Sequence, residues 1–205
     1  MTYCSIFKIY TGKEWMKKVD QHQYIINMIK NDDWMMRVLC AAKTLELPDW
    51  WICAGFVRSK VWDTLHGFQE RTGLADIDVV YFNPEDLKKE SEKKYEEMLL
   101  GLIPNVPWSV KNEARMHLVN DDFEPYTSTV DAISKFPETV TALGVRLNEQ
   151  GEVILTAPCG IEDVLSMEVR PTDSYRRTED RRNKYKERVK KKNWEAVWYK
   201  VRVVE

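Results

Sequence analysis

Asp76 and Asp78 stand one residue apart, with Val79, Val80, Tyr81 and Phe82 directly after them and a glycine, Gly55, some twenty positions upstream. In a β-strand alternate side chains share a face, so this spacing sets two carboxylates side by side at the head of an otherwise apolar strand. Adjacent anions repel, and a hard divalent cation with oxygen ligands, Mg2+ or Mn2+, is the commonest chemical reason to keep them together. Gly55 follows the apolar run Trp50–Ala54 and precedes a helical pattern. A glycine there lets helix N-terminal amides approach an anion that the helix dipole favours, and Arg58, Ser59 and Lys60 fall where a phosphate would lie. Together the two features hold the parts for nucleoside triphosphate chemistry, with Asp76 and Asp78 as metal ligands and catalytic acids. Alternatives stay open: the aspartates as a solvated strand edge, and Gly55 as a turn residue only.

These residues need a strand, a turn and a helix to hold them. Trp50–Ala54 reads as a buried strand, Ser59–Leu65 as a helix closed by Gly67, and Ile77–Phe82 as a second strand. Asn83 followed by Pro84, Glu85 and Asp86 predicts a helix start, with the helix running toward Leu100. Pro104 and Pro107 bracket a turn before a third strand at Trp108–Val110. Earlier, Ile25–Ile29 and the stripe Met35, Val38, Leu39, Ala42, Leu45 predict two helices, with Asp32 and Asp33 as caps. Later, Ser128 and Asp131 form a capping box, Val145–Leu147 and Val153–Leu155 a hairpin, and Ile161–Ser166 a short helix. The expected fold is α+β, or α/β-like: a small mixed sheet with flanking helices, a C-terminal hairpin and a basic tail.

The run AGFVRSKVWDTLHGF from Ala54 to Phe68, DIDVVYF from Asp76, PWSVKNEARMH from Pro107 and YTSTVDAI from Tyr126 together resemble a bacterial nucleotidyltransferase-like family, formerly a domain of unknown function. It belongs to the DNA polymerase β-like nucleotidyltransferase superfamily. The likeness extends from about Leu47 to Pro171. It implies a nucleotidyltransferase fold and transfer of a nucleoside monophosphate from an NTP to an acceptor, with release of pyrophosphate. The acceptor is left open among a protein side chain, an RNA end and a small molecule. The superfamily pattern is a glycine-serine turn, an acid pair on the next strand and a third acid on a later one. Phe56 replaces the serine, Asp76 and Asp78 match the pair, and Glu113 is placed for the third acid only if the Trp108 strand runs through Asn112. Our expectation is that Glu113 is not the base. These departures sustain a rival reading, a catalytically inactive member that binds nucleotide or nucleic acid.

Lys111, Asn112 and Arg115 either line a phosphate pocket with Glu113 or pair with surface acids. His66 and His117 read as packed or surface histidines, since no HxH or HxxxH spacing occurs. A tryptophan near the glycine turn has two uses, core packing and stacking on a base.

Hydrophobic content of 43% and charged content of 31% suit one globular domain over residues 1–205, divided into N-terminal helices (1–47), a core (48–170) and a basic segment (171–205). Cys4, Cys40, Cys53 and Cys159 form no CxxC pair, which argues against a zinc ribbon or a disulfide framework. No apolar run reaches membrane-span length, no membrane partner is expected, and the N-terminus lacks signal-peptide order; the expected compartment is the cytoplasm. Net charge is −2, yet 171–205 carries 12 Lys and Arg against 6 Asp and Glu. The mixed signs favour a solvated helix laced with ion pairs over a nucleic-acid footprint.

Overall fold

The computed structural model describes residues 18–120, 122 and 124–204, so Cys4 and the first part of the N-terminal segment lie outside it. Two helices lead, α1 (Lys18–Lys30) and α2 (Asp33–Lys43), the second capped by Asp32, whose carboxylate accepts from the Met35 amide. The core then alternates as expected: β1 (Trp51–Cys53), α3 (Gly55–His66), β2 (Ile77–Tyr81), α4 (Lys89–Leu102) and β3 (Trp108–Asn112). After it come α5 (Glu113–Val119), α6 (Thr129–Ser134), the hairpin of β4 (Gly144–Leu147) and β5 (Val153–Thr156), and α7 (Glu162–Ser166). The chain closes with β6 (Glu168–Val169), α8 (Asp173–Arg176), α9 (Glu179–Lys192) and β7 (Arg202–Val203).

The main sheet is mixed, in the order β3-β2-β1-β4-β5, with only β2 and β3 parallel. Its registers sort the side chains into two faces. Ile52, Ile77, Val79, Val110 and Val145 point into the large core with Ile25, Ile29, Met35 and Leu39 from α1 and α2. Trp51, Cys53, Asp78, Val80 and Ser109 share the other face, where α6 covers Trp51 and Val80 through Ile133. The acid pair thus lies on the face left uncovered by the main core.

Three expectations are corrected. The helix after β2 begins at Lys89 rather than at Pro84, because the segment before it is tied to Asn112: the Asn112 amide donates to the carbonyls of Asn83 and Asp86, both at 2.7 Å, and its oxygen accepts from the Asn83 amide. Asp86 then accepts from the Lys88 amide and from Ser91 just ahead of the helix, whose N-cap, Lys88, makes no side-chain capping bond. The third strand runs through Asn112, two residues beyond Val110. Nor does the basic segment from residue 171 stand apart from the core. Tyr185, Val189, Trp194, Trp198 and Val201 are buried in the main core, β7 pairs in parallel with β6, and the Trp198 indole donates to Asp63 at 2.8 Å.

Candidate active site

The turn from β1 into α3 is built around Ala54, whose φ of 54° and ψ of −116° lie in a region that L-residues rarely adopt. Its amide donates to Leu143 O and its carbonyl accepts from the Arg58 amide, so both sides of the peptide are held. The sequence points to Gly55 as the residue needing conformational freedom; the structure gives that strain to Ala54. Gly55 has no positive φ, and a Cβ there would meet Arg58 Nη2 at 3.6 Å and Leu74 at 3.8 Å, ordinary contact distances. No side chain caps α3 and no acid occupies its first turn, so the positive end of the helix dipole is left uncompensated.

Arg58 and Ser59 lie on the Gly55 side of α3, both buried. Arg58 Nη2 donates to Ser59 Oγ at 3.2 Å, so that hydroxyl already serves the guanidinium. Arg58 Nε is buried without a partner. Burial pulls the Arg58 pKa down to about 10, opposed by the negative charges of Glu138, Asp76 and Asp78, which leaves it a cation at neutral pH. Lys60 is absent from this group. One residue further round the helix, it forms an ion pair with Asp32 at 2.9 Å, on the side facing α2, and its assignment to a phosphate is withdrawn.

Asp76 is exposed just ahead of β2, while Asp78 is half-buried opposite Cys53 and beside Ser109. Burial and the Asp76 charge raise the Asp78 carboxyl to about 6, against a hydrogen bond from Ser109 and the positive charges of Lys192 and Arg188. Because β3 runs to Asn112, Glu113 opens α5 at the end of the neighbouring strand, buried at 4% exposure. Burial first, then the charges of Asp78 and Glu92, push it up to about 8. The buried Cys53 thiol is pushed up as well, by burial and by Asp78 and Glu113. Two acids seen in the sequence and a third that it placed conditionally therefore share one electrostatic environment.

The remaining candidates divide. Asn112 is fully buried on the opposite face, where it caps α5 and ties down the Asn83 segment, so it lines no phosphate pocket. Lys111 is held at the sheet edge by Glu96 at 3.3 Å, although its charge reaches Glu113. Arg115 pairs with Glu92 through two hydrogen bonds, one at 2.8 Å from Nε. His66 bridges Trp62 O and the Lys200 amide, and Asp131 takes the Thr127 amide and Lys135, both structural uses.

Sequence reasoning missed the contribution of α9. Arg188 forms an ion pair at 2.6 Å with Glu138, which is fully buried and also accepts from Thr141. Lys192 stands four residues on, and both cations act on Asp78. Their i, i+4 spacing in the basic run was the available signal. The partner surface was not, because it is assembled from segments fifty or more residues away.

A family model described as Nucleotidyltransferase matches residues 40–203. Among solved structures, a protein whose NMR structure reveals a CCA-adding enzyme head domain is 36% identical to this chain. That alignment has a TM-score of 0.81 and covers 89% of this chain and 95% of the other. A CCA-adding enzyme in complex with CTP is 14% identical at a TM-score of 0.52, over 90% of this chain and 43% of that one. The Thermotoga maritima CCA-adding enzyme complexed with tRNA is 14% identical at 0.51, over 90% and 42%. These two share the fold alone, and this chain spans less than half of their length. The search of curated proteins gives no match.

Proposed function

The chain belongs to the nucleotidyltransferase family, and on that premise we propose that it moves a nucleoside monophosphate from an NTP to an acceptor, with release of pyrophosphate. The observation that carries this reading is the nearness of two oppositely charged features at the C-terminal end of β1: the uncapped start of α3 with Arg58, on which both aspartates act, and the Asp76–Asp78 pair on the adjacent strand. The first suits a polyphosphate. The second suits Mg2+ or Mn2+, since both donors are hard oxygens whose mutual repulsion, visible in the raised Asp78 carboxyl, a cation relieves. A magnesium site with few protein ligands is completed by the phosphates of the substrate. When bound there, the metal would neutralise charge on the transferring phosphoryl group and on the leaving pyrophosphate.

The chain's own residues then have separate tasks. The α3 amides and Arg58 hold the triphosphate, Asp76 and Asp78 would hold the cation, and Arg188 and Lys192 add positive potential at Asp78. The acceptor's hydroxyl oxygen attacks the α-phosphorus as the bond to pyrophosphate breaks and the hydroxyl proton passes to solvent, so catalysis is positioning and electrostatic stabilisation. Glu113, mostly protonated near neutral pH by its raised pKa, serves as a neutral acid beside the pair rather than as the base.

One observation favours a second reading, nucleotide or nucleic-acid binding without turnover. Phe56 replaces the expected turn serine and is buried against Trp34, while Ser59 is committed to Arg58. Pyrophosphate release, measured with each of the four NTPs and Mg2+ or Mn2+, separates the two, with intact-mass analysis to detect self-modification. Metal-dependent release lost in Asp78→Asn supports transfer. Nucleotide binding without release supports the silent reading.

A further inference from the structure

The guanidinium of Arg58 sits among three indole rings. Its carbon lies 5.1 Å from the centroid of Trp62, 4.5 Å from Trp194 and 5.6 Å from Trp198. Trp194 and Trp198 meet Trp62 edge-on, with centroids 5.8 and 5.2 Å apart, so the three rings support one another. The rings are also pinned at their polar edges. Trp62 Nε1 donates to Val164 O at 3.0 Å and Trp198 Nε1 to Asp63 at 2.8 Å. Only Trp62 belongs to the same helix as Arg58; the other two come from the C-terminal segment, more than 130 residues further along.

Arg58 is 8% exposed, and its one side-chain hydrogen bond among the described residues goes to Ser59. A guanidinium has five N–H donors, and here Nε is buried with no partner. Among the described residues no carboxylate lies within ion-pair distance of Arg58; Glu138, the largest negative influence on it, is engaged by Arg188 and Thr141. Packing a cation against indole faces lets it stay charged without a bonded anion, and fixes a side chain that otherwise samples many rotamers. The Nη2 end of this fixed cation reaches the glycine turn, where a Cβ at Gly55 would lie 3.6 Å from it, next to the uncapped α3 terminus.

We propose that Trp194 and Trp198 are positioning residues through which the C-terminal segment holds Arg58 at the glycine turn, ready for the polyphosphate of the nucleotide. The inference rests on the nucleotide reading above. It makes the 3-10 turn at Trp194–Ala196 and its continuation to Trp198 part of the nucleotide site, although neither indole need touch the ligand. A preorganised donor loses less entropy on binding than a free one, so the expected loss on disrupting the box falls on nucleotide affinity more than on turnover.

The experiment is a double-mutant cycle on the full chain, reading calorimetric affinity for each of the four NTPs with Ca2+, and KM and kcat with Mg2+ where turnover occurs. Trp194→Leu should weaken binding about tenfold or more, with kcat changing less than KM. In an Arg58→Gln background the same substitution should change affinity less than twofold. Trp194→Phe, which keeps a ring face, should recover most of the loss. Trp198→Leu is carried through the same cycle, so that a folding failure at Trp194 leaves the test standing, and melting curves confirm the fold of each variant. Equal losses in both backgrounds, or no loss in either, would overturn the inference and leave the nucleotide reading in place. Failure of the wild type to bind any NTP would overturn both.

Discussion

Asp78 and Glu113 keep protons that exposed carboxylates would have lost, because burial, with the charge of Asp76 on the first and of Asp78 and Glu92 on the second, raises them to about 6 and about 8 from ordinary values of 3.8 and 4.5. Between those limits the folded chain binds more protons than the unfolded one. Stability from these groups is therefore fully present below about pH 4 and is lost as pH rises through the folded values, by up to about 1.4 kcal/mol per pH unit for each group. The metal-free protein should melt progressively lower from pH 5 to pH 9, and Glu113→Gln should flatten the upper half of that profile. A steeper profile in the variant contradicts the assignment. Since Glu113 is held as a neutral acid, the same variant should also keep activity within about tenfold, or roughly 1.4 kcal/mol in barrier; a thousandfold loss with metal binding intact would restore a third carboxylate. Ala54 gives a prediction of opposite sign to the usual glycine penalty. Its positive φ costs on the order of 1–3 kcal/mol, so Ala54→Gly should leave stability unchanged or raise it. A fall of more than about 1 kcal/mol in chemical unfolding would show that the turn is not strained.

At the scale of elements, α9 is tied down along its length: Arg181 to Asp122 at 2.6 Å, Tyr185 to Val169 O, and Arg188 to Glu138. These bonds turn Arg188 toward the acids and leave Arg182, Lys190 and Lys191 exposed. Exposed cations of this kind bind polyanions weakly and release them as salt rises. Binding to single-stranded RNA should therefore be weak at physiological salt, by fluorescence anisotropy, and tight sequence-selective binding lost on neutralising Arg182, Lys190 and Lys191 together would make α9 a recognition element. The core order of strands and helices, the Gly67 cap and the Ser128–Asp131 box were legible because each depends on neighbours within a few residues. Lys60 and the Asn83 helix start were misread for the complementary reason. An ion pair to Asp32 and a buried Asn112 decided them, and both partners are 28 or 29 residues away. The acid pair was legible as a pair, but the positive charges that oppose its repulsion come from a helix more than a hundred residues later, for which strand periodicity holds no signal.

Over the whole molecule, a chain of net charge −2 folds its basic end back over its acidic core, so the carboxylate pair sits between its own repulsion and the field of α9. That balance is incomplete: the Asp78 carboxyl remains raised, which means that its ionised form costs folding energy when no cation is present. A cation that binds only the folded state at a hundred times its dissociation constant adds about 2.7 kcal/mol, worth roughly 5–10 °C in a chain of this size. The wild type should therefore melt higher with millimolar Ca2+ or Mn2+. Asp76→Asn and Asp78→Asn should each abolish that gain, and Asp78→Asn should also melt higher than the wild type at pH 8 without metal, because it removes the charge that burial and Asp76 oppose while keeping an acceptor for Ser109. A site that served only as a solvated strand edge would show neither effect. An unchanged metal response in both variants, or a lower metal-free melting temperature in Asp78→Asn, would remove the cation from this pair.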